Sequence, residues 1–305
     1  MKISCIIGGG VGDMILSMRF VAAVREKYPN SHITIYANDK DIFSHSDFIR
    51  NHWSYLFDEM KPIKMKSKTF QIRSQFGEEN YPEAYSNIDD KIRSEIESGD
   101  KVYNLIPDAL HYLEYNDIPW MKYTRCIPEP KFDCDQNSTN NGQVVLNLYA
   151  REGHPSYISK ERAEWIISEI IKDNQVKVIA PSEEVKNSFY EKLKEHTVVA
   201  TLDECLPIIK NCALGVSLDS GMRCIFHAFS KTCYTLTCNT TKYFEPPPSH
   251  FLRWYPWSEN VIPLDAHPLS ISNLVKNAIK CPANQLFPHI NPEEMNRVIL
   301  RRIYD

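Results

Sequence analysis

The chain has 305 residues, of which 43% are hydrophobic and 24% charged, and its net charge at pH 7 is −4. This length is typical of two globular domains, and the small negative charge gives no general attraction to nucleic acid or to an anionic membrane. No apolar run approaches the roughly 20 residues of a membrane span, although peripheral membrane association stays open. The nine cysteines are scattered without a CxxC pair, which favours reduced thiols in a cytoplasmic protein.

The first third of the chain predicts a parallel α/β sheet. An apolar strand at residues 2–7 is followed by a helix at 13–27 with apolar side chains at helical spacing, and then by a strand at 32–37. This βαβ order requires the two strands to be parallel. Residues 38–99 carry weaker signals, and residues 101–106 predict a later strand of the same sheet.

A polar, turn-rich segment at residues 133–142 predicts the linker between two domains. Beyond it, strands and helices alternate regularly, and five strands interleaved with four helices predict a doubly wound, Rossmann-like domain. The strands are expected at 144–149, 176–180, 197–200, 213–218 and 232–236, and the helices at 159–172, 183–195, 202–211 and 220–230.

The chain ends with two further predicted helices, at residues 269–279 and 292–303. The expected domains are therefore residues 1–140, residues 141–280 and a C-terminal helical segment, residues 281–305, which packs back on the first domain.

A glycine-rich junction, Gly8 to Asp13, follows the first strand. Because glycine enters positive φ freely, Gly9, Gly10 and Gly12 predict a tight turn between strand and helix. Asp13 at the helix start is either an N-cap or a general base. The full GxGxxG pattern is missing, so a dinucleotide fingerprint is weak, although an acid near the end of the second strand, Asp39 or Asp41, keeps it open.

A second junction, Asp219-Ser220-Gly221, joins an apolar strand to a helix. Such a junction places backbone N–H groups and the positive end of the helix at one point, where parallel sheets bind phosphates. The alternative is an ordinary cap with a glycine for close packing. Arg223 and His227 on the helix would add positive charge. Arg151 and Lys160, nearer the start of this domain, are candidates to hold a diphosphate or are ordinary surface cations.

Other catalytic signatures are missing from the sequence. It contains no HxxxH or HExxH pair, no GxSxG nucleophile elbow and no GxxxxGK[ST] phosphate loop. We therefore expect neither a metal site nor a cofactor.

Taken in chain order, three stretches resemble glycosyltransferase family 9, the ADP-heptose:lipopolysaccharide heptosyltransferase-like enzymes. They are residues 12–17 (GDMILS), residues 202–213 leading into Asp219-Ser220-Gly221, and residues 253–261 (RWYPWSENV). The resemblance implies the GT-B fold, in which two Rossmann-like doubly wound domains face each other across a cleft.

The resemblance also implies a function. It is metal-independent, inverting transfer of a heptose or hexose from a nucleotide-diphosphate donor to an acceptor hydroxyl, such as that of a cell-surface glycan or lipopolysaccharide precursor. Asp13 would be the catalytic base, beside the acceptor-side loop of Gly9, Gly10 and Gly12. The candidate donor-site residues are Arg151, Lys160, Glu183, Asp219, Ser220, Gly221, Met222, Arg223 and His227.

Two alternatives remain. Cys224 stands where the family usually has a histidine, which leaves open a sugar-nucleotide-binding protein of the same fold without catalytic activity. An NAD-dependent oxidoreductase would use the N-terminal glycines, but it gives the Asp219 junction no role.

Overall fold

The computed structural model describes residues 1–39, 44–63, 86–104, 127–133, 142–150, 157–237, 261–263 and 265–280. The chain divides into two compact units, Met1–Asp133 and Cys134–Asp305. The expected boundary at residue 140, the helix expected at 292–303 and the packing expected for residues 281–305 all lie outside the described residues, so these assignments stay predictions.

The first unit is a four-stranded parallel sheet with helices. In chain order its elements are β1 (Lys2–Gly9), α1 (Val11–Lys27), β2 (His32–Asp39), α2 (Ser44–Trp53), a 3-10 turn (Ser54–Leu56), β3 (Glu59–Pro62), α3 (Asp90–Glu97) and β4 (Lys101–Asn104). The strand order is β3-β2-β1-β4, and every neighbouring pair of strands is parallel. The predicted βαβ start is confirmed, whereas α2, β3 and α3 fall where the sequence signals are weak.

The second unit is a six-stranded parallel sheet with helices. In chain order its elements are β5 (Val144–Asn147), α4 (Lys160–Ile171), β6 (Val176–Ala180), α5 (Glu183–Ser188), a 3-10 helix (Glu191–His196), β7 (Thr197–Val199), α6 (Leu202–Lys210), β8 (Leu214–Leu218), α7 (Gly221–Ala228), β9 (Cys233–Thr237), β10 (Val261–Pro263) and α8 (Pro268–Lys280). The strand order is β10-β9-β8-β5-β6-β7.

Two details of this unit differ from the sequence-based expectation. The helix expected at 183–195 breaks into α5 and a 3-10 helix, because Tyr190 and Leu193 have non-helical backbone angles. A sixth strand, β10, was not expected, since it is only three residues long and ends in a proline. It adds to the edge of the sheet beside β9.

In each sheet the strand order reverses beside the first strand of the unit. β1 lies between β2 and β4, and β5 lies between β6 and β8. In doubly wound sheets, ligands bind at the carboxyl ends of the strands where the order reverses, which is called the switch point. The carboxyl ends of β1 and β4 form the first switch point, and those of β5 and β8 form the second.

The end of the first unit is held against its own second helix. The indole Nε1 of Trp53 donates to the carbonyl of Pro128 at 2.7 Å, and the hydroxyl of Tyr55 donates to the carbonyl of Glu129 at 2.9 Å. These bonds attach residues 127–133 to the first unit as far as its boundary.

None of the helices in the described part of the chain is long and apolar enough to cross a membrane. Cysteines at five described positions are buried and outside disulfides: Cys5, Cys205, Cys212, Cys224 and Cys233. Burial raises the pKa of the Cys5 thiol to about 12, so this side chain is a protonated core residue at neutral pH.

Candidate functional site

The first switch point contains Asp13, the third residue of α1. The backbone N–H of Gly10 donates to Asp13 Oδ2 at 2.8 Å, and the hydroxyl of Ser17 donates to the carbonyl of Asp13 at 2.9 Å. The Asp13 side chain is buried. The carboxylate therefore closes the first turn of its own helix, which is the capping geometry, and this bond also fixes where the carboxylate lies.

The turn from strand to helix is tight, as predicted, but the glycines of this junction do not have positive φ, so the expected reason for glycine was wrong. Gly9 ends β1, Gly10 is extended at φ −78° and ψ 174°, and Gly12 lies within α1. A single residue joins the strand to the helix, and this short connection needs no left-handed turn. A Cβ added at Gly10 would meet Asp13 Oδ2 at 3.8 Å, an ordinary contact, so neither backbone angle nor space demands glycine there.

The second switch point contains the Asp219 junction. The backbone N–H of Asp219 donates to the carbonyl of Leu236 at 3.2 Å, which ties the end of β8 to β9. Ser220 is the N-cap residue of α7 with an extended backbone, but its side chain makes no capping hydrogen bond. Its hydroxyl instead lies 3.4 Å from the hydroxyl of Ser217.

The helix that begins at this junction differs from its neighbours. The first turn of α7 contains no acidic residue, so no carboxylate there offsets the positive end of the helix dipole. By contrast, side-chain caps close the first turns of α4, α5 and α6, from Ser159, Ser182 and Thr201 respectively. The positive end of the α7 dipole is therefore not offset by a side chain of its own first turn, and it could stabilise a bound anion.

The helix α7 is packed closely on β8. A Cβ added at Gly215 would lie 2.6 Å from Cδ1 and Cζ of Phe226, far inside van der Waals contact. Gly215 is thus required so that the helix can approach the sheet, which sets the position of the helix start at the edge of the sheet.

The two basic side chains of α7, Arg223 and His227, are buried and do not lie exposed at its N-terminus. The side chain of Arg223 is only 4% exposed, and its Nη2 lies 3.6 Å from Asp219 Oδ1, whose side chain is 22% exposed. Met222 and Cys224 are buried, and His227 is buried in the last turn of the helix. The positive charge expected from Arg223 is therefore directed at Asp219.

A row of buried polar residues, missed in the sequence, crosses the second sheet near the same edge. Asn147 on β5 is in register with Ser217 on β8, and Ser217 is in register with Thr235 on β9. All three are buried, and the amide of Asn147 donates to the carbonyl of Ile179 at 3.3 Å. Polar residues at the carboxyl ends of otherwise apolar strands are the signal that could have revealed them.

Tyr190 supports the loop that leaves β5. Its hydroxyl oxygen accepts the backbone N–H of Leu148 at 3.2 Å, and burial raises the pKa of this phenol, so it is neutral. The carbonyl of Ile179 and the hydroxyl of Tyr190 thus hold the end of β5 and the first residue after it.

The remaining predicted donor-site residues lie at helix starts or outside the described residues. Lys160 opens α4, and its ammonium group lies 3.2 Å from Glu191 Oε2. The hydrogen bond from Lys160 lowers the pKa of Glu191. Glu183 is exposed as the first residue of α5. Arg151 lies outside the described residues.

Metal-ligating residues do not cluster in the described ranges. No group of three or more His, Cys, Asp or Glu side chains within them could hold a metal ion.

Fold and junctions together define an α/β chain with two parallel sheets, each with a polar junction at its switch point. No protein-family model and no curated protein sequence matches the chain. Solved structures match it along most of its length. The glycosyl transferase family 9 structure from Veillonella parvula DSM 2008 has a TM-score of 0.57 at 14% identity, covering 92% of this chain and 96% of that one.

Two Escherichia coli heptosyltransferases are also similar. The ADP-heptose LPS heptosyltransferase II has a TM-score of 0.50 at 15% identity and covers 99% of both chains. The heptosyltransferase WaaC with ADP has a TM-score of 0.51 at 13% identity, covering 97% of this chain and 100% of that one. At such identities the likeness shows the fold. The predicted resemblance and fold class are confirmed at that level: the chain has the fold of these glycosyltransferases.

Proposed function

We propose that this chain is a glycosyltransferase. It would transfer a sugar, a heptose or hexose, from a nucleotide-diphosphate donor to an acceptor hydroxyl, with inversion at the anomeric carbon and without a metal. The observation that carries the proposal is the place of Asp219-Ser220-Gly221: the junction lies at the switch point of a Rossmann-order sheet and begins a helix without a side-chain cap. The fold shared with known sugar-transfer enzymes supports it.

The donor's diphosphate would lie at the start of α7. When the bond between the anomeric carbon and the diphosphate oxygen breaks, negative charge grows on the leaving diphosphate. Backbone N–H groups and the positive end of the helix stabilise such charge without having to reorient. Arg151 and Lys160 are the proposed additional cations, and Lys160 would exchange its ion pair with Glu191 for a phosphate.

Asp13 is the proposed general base. Its carboxylate would remove the proton from the acceptor hydroxyl as the hydroxyl oxygen attacks the anomeric carbon. The hydrogen bond from the Gly10 N–H to Oδ2 orients the group for this role. A positioned base of this kind typically contributes about 10²–10⁴-fold in rate.

The capping bond of Asp13 also argues against an NAD-dependent oxidoreductase. A dinucleotide would have to place its pyrophosphate at the start of α1. There the Asp13 carboxylate already accepts a backbone N–H and adds negative charge, so a pyrophosphate would be repelled. Asp39, the last residue of β2, stands where such an enzyme would need an acid, but this acid alone provides no site for the pyrophosphate.

We infer that the acceptor is a cell-surface glycan or lipopolysaccharide precursor, met in the cytoplasm or at the membrane surface. The likeness in fold to the lipopolysaccharide heptosyltransferase supports the acceptor class. Buried thiols such as Cys5 and Cys233 are typical of proteins from reducing compartments, which supports the location.

A thermal-shift panel tests the proposal. ADP, UDP, GDP, CDP, dTDP and their sugars are each added to the whole protein, with NAD and free nucleosides for comparison. The true donor stabilises the fold by RT ln(1 + [L]/Kd), about 2.7 kcal/mol at one hundred times its Kd. The donor so identified is then followed for slow hydrolysis and for transfer.

The outcomes separate the three functions. Binding of one nucleotide sugar together with turnover is the expected result. Binding without any turnover would identify a sugar-nucleotide-binding protein instead. Stabilisation by NAD alone would overturn the glycosyltransferase proposal in favour of an oxidoreductase.

A further inference from the structure

Arg223 and Asp219 form an ion pair inside the candidate donor site. The two residues are four apart, Asp219 just before the N-cap residue Ser220 and Arg223 in the first turn of α7, and Arg223 Nη2 lies 3.6 Å from Asp219 Oδ1. The same nitrogen also donates to Cys224 Sγ at 4.0 Å. The arginine is almost fully buried, whereas the aspartate keeps about a fifth of its surface. Within the pair, the arginine is therefore covered and the aspartate is partly accessible to solvent.

A carboxylate at this position poses an electrostatic problem for the proposed donor. Asp219 directly precedes the helix start that would receive a diphosphate carrying two or more negative charges. Charges a few ångströms apart at a partly buried site interact strongly, so an uncompensated Asp219 would repel the donor. Simple omission of the acid would remove the repulsion, but it would also remove a hydrogen-bond acceptor for hydroxyl groups.

We propose that Arg223 is a positioning residue that neutralises Asp219 and holds its carboxylate, so that a nucleoside diphosphate can bind at the start of α7. This inference rests on the proposed function. The guanidinium acts through Asp219, because its own side chain is covered. The junction thereby keeps the polar oxygens of an acid while presenting no net negative charge to the diphosphate.

A double-mutant cycle at Arg223 and Asp219 tests this role. The probe is the nucleoside diphosphate that most stabilises the wild-type protein, and its Kd is measured by calorimetry for R223M, D219N, the double variant and R223K. Because R223M removes the positive charge of Arg223 from beside Asp219, the Kd of this variant is expected to rise about 10- to 100-fold. D219N in the same chain removes the repelling charge, so the double variant is expected to return to within about threefold of D219N alone.

Two further readouts distinguish neutralisation from a merely structural role. R223K keeps the charge and is expected to retain most of the affinity, although lysine cannot reproduce the planar guanidinium geometry. The free nucleoside, which carries no phosphate, is expected to bind R223M and wild type equally. A general loss of packing would weaken both ligands alike.

A matched control is the Arg25–Asp58 pair of the first unit. Arg25 Nη2 lies 2.6 Å from Asp58 Oδ2, and this arginine belongs to the last turn of α1. R25M is expected to lower the unfolding temperature without changing the Kd for the nucleoside diphosphate. Any change in affinity common to R25M and R223M would reflect stability rather than charge.

Several results would overturn the inference. One is an unchanged Kd in folded R223M, and another is a double variant as weak as R223M. D219N alone provides a test that does not depend on R223M folding: it removes the negative charge before the start of α7 and is expected to bind the diphosphate at least as tightly as wild type. A wild-type protein that binds no nucleoside diphosphate would instead refute the proposed function itself.

Discussion

Both switch points of this chain have glycine and an acidic residue at a strand–helix junction, but the two helix starts differ in their electrostatics. At the first, Asp13 turns its carboxylate back onto the Gly10 N–H, so the start of α1 is closed by an acid of its own. At the second, Ser220 leaves the start of α7 without a side-chain cap, and the nearby acid Asp219 is paired with a buried arginine. One helix start repels anions, and the other can receive them.

Under the proposed function, this difference would give the two junctions separate tasks. An anion-binding helix start suits the diphosphate of a donor. A carboxylate held in place by a backbone N–H suits proton removal from a hydroxyl. In the proposed reaction, the two strand–helix junctions would act on opposite sides of one displacement, the first on the attacking hydroxyl and the second on the leaving diphosphate.

The largest effect is expected from Asp13→Asn. The amide oxygen of asparagine can still accept the Gly10 N–H, so the bond is kept, and the unfolding free energy should fall only by the contribution of the charge at the helix start, about 0.3–1 kcal/mol. The base is lost, and transfer should fall about 10²–10⁴-fold. Transfer assays and calorimetric donor binding measure the two effects separately.

Asp13→Ala is the companion variant, since it removes both the cap and the base. It should also lose about 1 kcal/mol of unfolding free energy. Full turnover by Asp13→Asn would reduce Asp13 to a helix cap and leave the first switch point without a catalytic group.

Ser220→Asp is designed to make the second junction resemble the first. A carboxylate at the start of α7 would compensate the positive end of the helix and repel a diphosphate, so its affinity should fall by about tenfold or more. The unfolding free energy should rise by about 0.3–1 kcal/mol. Calorimetry and urea unfolding report the two changes.

Thr201→Asp at the capped start of α6 is the control for this substitution. Its side chain already accepts the N–H of Glu204, and aspartate can do the same. Diphosphate affinity should not change there. An unaltered affinity in Ser220→Asp as well would place the diphosphate away from α7.

Gly215→Ala tests how closely α7 must approach its sheet. The added Cβ would overlap with the ring of Phe226, so about 1–3 kcal/mol of unfolding free energy should be lost. Gly10→Ala, where the new Cβ meets only an ordinary contact, should lose less than about 1 kcal/mol. Equal losses in urea unfolding would mean that the two junctions are packed alike.

The smallest expected effect compares two serines at helix starts. Ser182 Oγ accepts the N–H of Val185 at 3.2 Å, so Ser182→Ala should cost about 1 kcal/mol. Ser220 makes no capping bond, and Ser220→Ala should cost less than about 0.5 kcal/mol. A large loss in Ser220→Ala would show that the α7 start is capped in solution after all.

Much of the second unit could be predicted from local sequence. The strand Val176–Ala180, apolar except for Lys177, is reproduced by the structure residue for residue, and Ser182 and Thr201 are the N-caps of their helices. Here the local preference and the tertiary environment agree.

The middle of the first unit could not be predicted in this way. The strand β3 consists of Glu59, Met60, Lys61 and Pro62, a composition that disfavours a strand. It becomes one through pairing with β2 and through the ion pair of Lys61 with Glu95 on α3. Such long-range contacts leave no local periodicity.

The candidate site shows the same limit. Sequence reasoning found both junctions, because glycine, acid and hydroxyl residues at a strand–helix boundary are visible locally. It could not tell that Asp13 caps its helix while Ser220 does not, nor that Arg223 is buried against Asp219. These outcomes depend on rotamers and packing, which no residue pattern encodes.

The central position of β5 has a consequence for folding. Val144 pairs both with Val176 on the next strand and with Leu214 on β8. In the described part of the chain, two further strands, three α-helices and a 3-10 helix lie between β5 and β8. Closing that long loop is expected to be slower than pairing β5 with β6, its parallel neighbour one helix further along the chain. The edge where the donor is proposed to bind exists only after this closure. Recovery of nucleotide binding during refolding should therefore coincide with the slowest phase of the second unit, so ligand binding would report the completion of folding.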